Sequence, residues 1–270
     1  MRYTLCKSPQ SGRISILKIK DKRVFYSGMP ARYYDYFFPQ VDEQELAFFA
    51  KHIAAAPGPA LEIGCGTGRL LLPLMQQGLD VAGVDSAAEM LSICTQKAQS
   101  LGVAPTLYQQ QMQELSLPKQ YGSIFSPLGT FGQLADRDEA IKALKAFYQH
   151  LLPGGRLVIY VHLPWHHAPE FGQWHAHAPL LLPDGTTLQV HEKSVHDPIE
   201  QLVFSTYRYE LSKQNTIIAQ QEVALTTRWY ARHEFQMLLE QVGFVDISVC
   251  SGYEDQGPFD VMLFCAQKGA

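Results

Sequence analysis

The chain has 270 residues, 46% of them hydrophobic and 18% charged, with 20 Gly and 16 Pro. That balance describes one packed domain, or one domain with an insertion, and excludes a disordered, collagenous or coiled-coil chain. The net charge of −4 argues against a general DNA or RNA binder, and no apolar run reaches the roughly 18–20 residues of a membrane span.

The charge is uneven. Residues 1–32 hold eight Lys/Arg and one Asp, and the remainder holds 14 basic and 25 acidic residues. Within 1–32, residues 13–19 and 24–26 read as two strands around the polar turn Lys20-Asp21-Lys22-Arg23. Lysines there protect an exposed strand edge, or serve a phosphate-bearing partner. From residue 33 the rhythm changes. Residues 41–56 form an apolar-periodic helix closed by Pro57-Gly58-Pro59. Strand 60–63, helix 69–77, strand 80–85, helix 87–99 and strands 105–110 and 121–126 follow. Helix 136–152 then stops at Pro153-Gly154-Gly155, before strand 156–161. Strands separated by helices predict an α/β, doubly wound, mostly parallel sheet. Between 164 and 227 the helices vanish. The stretches 187–195, 201–211 and 216–230 read as an inserted antiparallel meander turning at Asp197-Pro198 and Lys213-Gln214-Asn215. Helix 232–241 and strands 244–250 and 261–266 resume the α/β pattern and bring its sheet to seven strands. The expected division is therefore a basic segment 1–32, a core of 33–163 with 228–270, and an insertion 164–227.

The sharpest motif is Glu62-Ile63-Gly64-Cys65-Gly66-Thr67-Gly68-Arg69, between strand 60–63 and the next helix. Glycines allow positive φ and close approach of a ligand to the backbone, and the helix start offers free N–H groups. A phosphate P-loop needs a Gly-Lys pair, which the chain lacks. The dinucleotide fingerprint needs a third glycine where Arg69 stands. Glu62 would repel a pyrophosphate but suits a cationic ligand. Asp85 ends the neighbouring strand, 21 residues after Gly64, where a carboxylate can accept from both hydroxyls of a ribose; alternatively it caps the following helix, a role Ser86 could also fill.

These residues resemble the E/D-x-G-x-G-x-G motif and ribose-binding acid of the class I S-adenosylmethionine-dependent methyltransferases. The likeness extends through Ala87-Ala88-Glu89-Met90-Leu91, Leu151-Leu152-Pro153-Gly154-Gly155 and Gly243-Phe244. Tyr34-Asp35 and the large insertion are similar to the small-molecule branch, which includes glycine and amino-sugar N-methyltransferases. The resemblance implies S-adenosylmethionine as cofactor, S-adenosylhomocysteine as product and a small soluble methyl acceptor. It places Glu62, Gly64, Cys65 and Gly66 at the methionine end, with Gly68 and Arg69 opening the helix. Asp85 and Ser86 belong at the ribose, and Met90, Gln111 and Met112 near the adenine. Ser126 faces the sulfonium, and Tyr34 covers the cofactor or merely packs in the core. The loop Gln111-Met112-Gln113 lacks the family's usual acid.

The acceptor side is less sharply written. His162 ends strand 156–161 and is the best candidate general base. Gln133, Arg228 and Tyr230 flank the junction with the insertion and are candidate acceptor contacts. Seven of the ten histidines lie between 162 and 196, in tracts such as Trp165-His166-His167, yet no H-E-x-x-H or thiolate partner accompanies them, so no metal is expected. The five cysteines stand at 6, 65, 94, 250 and 265 without a C-x-x-C pair; neither a disulfide framework nor a thiolate zinc site is expected, and the setting reads as cytoplasmic. Two rival functions remain open: an RNA- or protein-modifying methyltransferase using the basic segment, and a cofactor-binding protein without transferase activity.

Overall fold

The computed structural model describes residues 25–164, 172–253 and 261–269. The basic hairpin of 13–26 and the tract Trp165-His166-His167 fall wholly or largely outside them; Phe25 and Tyr26 themselves are bends rather than strand. Two one-turn helices open the description, α1 (Met29–Arg32) and α2 (Tyr34–Phe37), followed by α3 (Glu43–Ala54). The start of α3 is set by Asp42, whose carboxylate accepts from the N–H groups of Gln44 and Glu45 at 2.8 and 3.3 Å.

Next come β1 (Ala60–Ile63), α4 (Leu71–Gln76), β2 (Val81–Asp85), α5 (Ala88–Ser100), β3 (Leu107–Gln109) and β4 (Tyr121–Ser126). Then follow α6 (Arg137–His150), capped by Asp136, and β5 (Leu151–His162). Helix α6 ends two residues earlier than its apolar pattern suggests, and Pro153-Gly154-Gly155 lies inside β5 instead of before it. The register against β4 jumps there, from Tyr121↔Leu151 to Ser123↔Arg156, so the Pro-Gly-Gly segment forms a bulge that the strand accommodates.

After β5 the chain forms β6 (His175–Ala176), β7 (Leu180–Leu181), β8 (Thr187–Asp197), β9 (Leu202–Lys213) and β10 (Thr216–Arg228). It returns through α7 (Arg232–Val242), stopped by Gly243 at φ 111°, to β11 (Phe244–Cys250) and β12 (Val261–Lys268). One sheet has the order β11-β12-β5-β4-β1-β2-β3, parallel except for β12, which runs antiparallel to both neighbours. The other sheet joins β10, β9, β8 and β6, with β7 also on β8, all antiparallel.

The parallel sheet is buried on both faces: every residue of β1 and β4 is buried, as helix-covered parallel strands require. Its order reverses at β1, with β2 on one side and β4 on the other. In such a sheet the crevice beyond the carboxyl ends of the strands, at this reversal, is where ligands bind.

Candidate active site

A cavity of about 660 Å3 opens at that crevice. Its floor is the end of β1 and the glycine loop, contributing Ile63, Gly64 and Gly66. The three loop glycines have φ of 72°, 53° and 80°, which L side chains rarely adopt. Gly64 is needed twice over, because a Cβ there would run into the Thr130 methyl. Gly66 faces the Met90 methyl, 3.2 Å from where its own Cβ would stand.

Asp85 fixes the loop. One oxygen accepts from Gly66 N–H at 2.9 Å and the other from Ala87 N–H at 2.8 Å. The carboxylate thus both braces the glycine turn and satisfies an N–H at the start of α5. Asp85 also lines the cavity, and each of its oxygens keeps a second lone pair. Burial raises its pKa, opposed by these backbone hydrogen bonds. Ser86, Met90, Gln111, Met112 and Tyr34 also line the cavity. The Gln111 amide oxygen, which was to meet the adenine amine, already accepts from Gln113 Nε2 at 2.7 Å.

Glu62 lies beneath this floor, only 2% exposed, and one of its oxygens is buried with no hydrogen-bond partner. Burial pushes its pKa well above the ordinary range, and nearby Arg69 partly offsets this. A buried carboxylate oxygen left unpaired costs stability; Glu62 does not itself line the cavity, which its neighbours Ile63 and Gly64 reach. Ser126 Oγ, at the end of β4, is likewise buried without a partner.

Three residues of the motif are engaged elsewhere. Cys65 is 3% exposed and packs in the core, where its sulfur lies 2.6 Å from the position of a Gly83 Cβ. Arg69 turns away and forms a bidentate pair with Glu45 at 2.6 and 2.7 Å, tying the loop to α3. Gly68 serves packing: a Cβ would collide with Cys94 Sγ and Leu72.

The roof is assembled from distant segments. Phe25, Tyr26 and Tyr34 come from the N-terminal side, and Ala224, Leu225 and Thr226 from β10. Gln221 of β10 joins the two: its side chain accepts from Met29 N–H at 2.7 Å and donates to Ser27 O at 3.0 Å. Asp35 anchors α2 to the glycine loop by accepting from Thr67 Oγ1 at 2.6 Å and Lys97 Nζ at 3.0 Å. Thr130, Gln133, Glu114 and Glu139 complete the wall. Of the proposed acceptor residues, Gln133 alone lines this cavity. His162, Arg228 and Tyr230 line a second cavity of about 170 Å3, together with Gly129, Phe131 and Thr227. The turn 130–133 separates the two, offering Thr130 and Gln133 to one side and Phe131 and Gly132 to the other. Arg228 is also engaged, donating to Ala135 O at 2.7 Å and Glu200 O at 2.8 Å. Tyr230 is 1% exposed and packs on Phe131 and Phe235. Tyr26, Thr130 and Thr226 belong to no motif and carry no local signal of a place at the cavity. Among the described residues, no group of three or more His, Cys, Asp or Glu could hold a metal ion.

Residues 60–155 match the model of a methyltransferase domain. This segment, about a third of the chain, is similar to that family. An amino-sugar enzyme from Streptomyces venezuelae, dTDP-3-amino-3,4,6-trideoxy-alpha-D-glucopyranose N,N-dimethyltransferase, is 27% identical over 137 residues, 51% of this chain and 55% of that protein. Phosphatidylethanolamine N-methyltransferase of Cereibacter sphaeroides is 37% identical over 89 residues, 32% of this chain and 43% of that protein. The matches span about half the length of these curated relatives. An S-adenosylmethionine-dependent methyltransferase structure from Clostridium acetobutylicum superposes with a TM-score of 0.72 at 18% identity, covering 88% of this chain and 97% of that one. The fold is therefore shared over most of both chains.

Proposed function

We propose that the chain transfers a methyl group from S-adenosylmethionine to a small acceptor, and that the acceptor is an amine. The observation that carries this reading is the pair Glu62 and Asp85. Both are carboxylates with acceptor capacity left at one glycine loop, one suited to a cation and one to hydroxyls. The cofactor supplies an electrophilic methyl on a sulfonium; the chain's part is to align it and keep the pocket dry.

In this reading Glu62 accepts from the ammonium of the methionine end, through the oxygen that is otherwise unpaired. Asp85 and Ser86 receive the ribose. Met90 and Met112 sandwich the adenine, and the second lone pair of the Gln111 oxygen serves its amine. Ser126 Oγ lies near the sulfonium, while Tyr26 and Tyr34 close over it. The acceptor enters between Gln133, Thr130 and Thr226, under the antiparallel sheet, which we read as a roof. His162, Arg228 and Tyr230 would touch only an acceptor that extends past the turn 130–133 into the second cavity.

An amine is favoured by the groups that face the cavity. Its titratable lining residues are Asp85, Glu114, Glu139, Tyr26 and Tyr34. Burial raises both tyrosines, Tyr34 to about 12, so they stay protonated and serve as donors. A hydroxyl acceptor needs a base to remove its proton, whereas an amine that arrives neutral attacks directly, and carboxylates stabilise the ammonium product. The scattered cysteines fit a reducing, cytoplasmic setting. Calorimetry with S-adenosylhomocysteine and with NAD tests the cofactor step. The homocysteine product should bind and NAD should not. Asp85→Ala should weaken binding by about 1–3 kcal/mol, leaving hydroxyls unpaired and the loop unbraced. Tight NAD binding without binding of the product would overturn the reading.

A further inference from the structure

The sequence separates Cys250 and Cys265 by fifteen positions and gives no sign of pairing, yet β11 and β12 bring them together. Cys265 stands opposite Ser248, and Cys250 opposite Leu263. Side chains two positions apart on a strand share a face, so Cys250 and Cys265 are diagonal neighbours on the same face of an antiparallel pair. The two thiols are close enough for Cys250 to raise the Cys265 pKa, and Cys250 Sγ donates to Leu263 O at 3.8 Å.

Helix α3 lays a histidine over this pair. His52 Nδ1 lies 2.8 Å from Phe48 O, an acceptor only, so Nδ1 carries the hydrogen. Burial lowers the His52 pKa, leaving the ring neutral at pH 7 with Nε2 as an acceptor. That nitrogen sits 3.5 Å from Cys265 Sγ. The cluster opens to solvent through a groove of about 360 Å3 lined by Lys51, His52, Phe48, Tyr253 and Cys250. Cys65 and Cys94 are by contrast sealed in the core, at 3% and 0% exposure.

We propose that Cys250, Cys265 and His52 form a thiol modification site, at which a low-molecular-weight disulfide such as oxidised glutathione drives reversible formation of a Cys250–Cys265 disulfide. Cys250, which faces the groove, loses its proton to solvent and attacks one sulfur of the reagent. A bond forms between Cys250 Sγ and one glutathionyl sulfur, and the other half leaves as a thiolate and is protonated. The adjoining Cys250 and burial push the Cys265 thiol up, so it is protonated at this stage. His52 Nε2 takes that proton as Cys265 Sγ attacks Cys250 Sγ. The second glutathione thiolate departs and receives the proton. Two protein thiols are oxidised by two electrons, and one reagent disulfide is reduced to two thiols. The Lys51 ammonium at the groove rim favours both an anionic reagent and the attacking thiolate.

The test is to incubate the full chain with oxidised glutathione, block remaining thiols by alkylation, and map the products by mass spectrometry. The expected product has lost two hydrogens, carries no glutathione on Cys250 or Cys265, joins the peptides containing them, and reverts with dithiothreitol. Cys265→Ser should trap a stable glutathione adduct on Cys250. His52→Gln should slow ring closure by about tenfold or more at pH 7 while leaving the first adduct unaffected. A glutathione adduct that persists on Cys250 in the unaltered chain overturns the proposal. So does a disulfide to any other cysteine, or no reaction at Cys250 in a time that modifies an exposed thiol peptide.

Discussion

The two sheets build their shares of the cavity differently. At the parallel sheet the wall is largely backbone. Gly64 and Gly66 present main chain at positive φ, held by Val84 O and the Asp85 carboxylate. At the antiparallel sheet the wall is side chains of one strand, Ala224 to Thr226, kept in place by Gln221. The first arrangement is rigid and reads one ligand. The second can change residue by residue without disturbing the fold. The match to a methyltransferase-domain model, residues 60–155, falls on the first region.

The strongest way to sharpen this contrast is Glu62→Gln, at the heart of the rigid region. Two opposite effects are expected. Glu62 has its pKa raised by burial, well above the ordinary 4.5. An acid raised in the folded state favours folding below its ordinary value, and that contribution is lost as pH rises through the folded value. Above the ordinary carboxylate range the buried group therefore destabilises the ligand-free protein, and the glutamine should raise its Tm at neutral pH. Cofactor affinity should fall by about 10–100-fold, the loss of a hydrogen bond between charged groups. In the unaltered protein that affinity should weaken as pH falls through the raised value, because binding needs the carboxylate. Thermal melts with and without S-adenosylhomocysteine check both. A lowered Tm in the ligand-free variant would mean that Glu62 is paired in solution, and would remove its role as a vacant acceptor.

A smaller effect is expected from Gln221→Ala, which uncouples the roof from the N-terminal segment. The change removes the bonds to Met29 N and Ser27 O, while Gly28 N–H keeps its bond to Glu89 at 2.7 Å. Each lost bond is worth about 1 kcal/mol in favourable cases. Tyr26 and Tyr34 should then close less often, so acceptor KM should rise several-fold while the unfolding midpoint falls by no more than about 4–8 °C. Steady-state kinetics beside circular dichroism separate these. If KM is unchanged, the antiparallel sheet is not acting through the N-terminal segment.

The same contrast explains what could be read from the chain. The strands 60–63, 80–85 and 121–126, the glycine loop and Asp85 were legible because period, turn chemistry and ligand demand fall on adjacent residues. Arg69 was misplaced because its partner, Glu45, lies 24 residues upstream on another helix, and nothing local records which way the guanidinium turns. Cys65 was misplaced for a similar reason: within a turn of positive-φ glycines, strand alternation no longer says which face a side chain takes. Tyr26 and Thr226 went unseen because they meet only through tertiary packing. The bulge at Pro153-Gly154-Gly155 hid the start of β5, since those residues ordinarily end an element instead of bending one.

The smallest effect is expected from His162→Ala, and its smallness is informative. His162 closes β5, pairs in register with Val261, and lines the second cavity. The turn 130–133 stands between it and the larger cavity, where Gln133 and Thr130 face. A base must come within hydrogen-bond reach, directly or through one water, of the proton it removes. From the far side of that turn His162 meets this demand only for an acceptor that spans both cavities. If the acceptor is an amine bound beside Gln133, no base is needed, and kcat should change by less than about threefold across pH 6–9, well short of the ~100-fold that a lost general base costs. Acceptor KM alone should move if the substrate reaches into the second cavity. A kcat loss of ~100-fold or more, partly restored at high pH, would instead place a hydroxyl at the cavity junction with His162 acting on it. That outcome would move the reacting centre from beside Gln133 toward the second cavity, and would make β5, in the parallel sheet, rather than the antiparallel roof the element that decides acceptor chemistry.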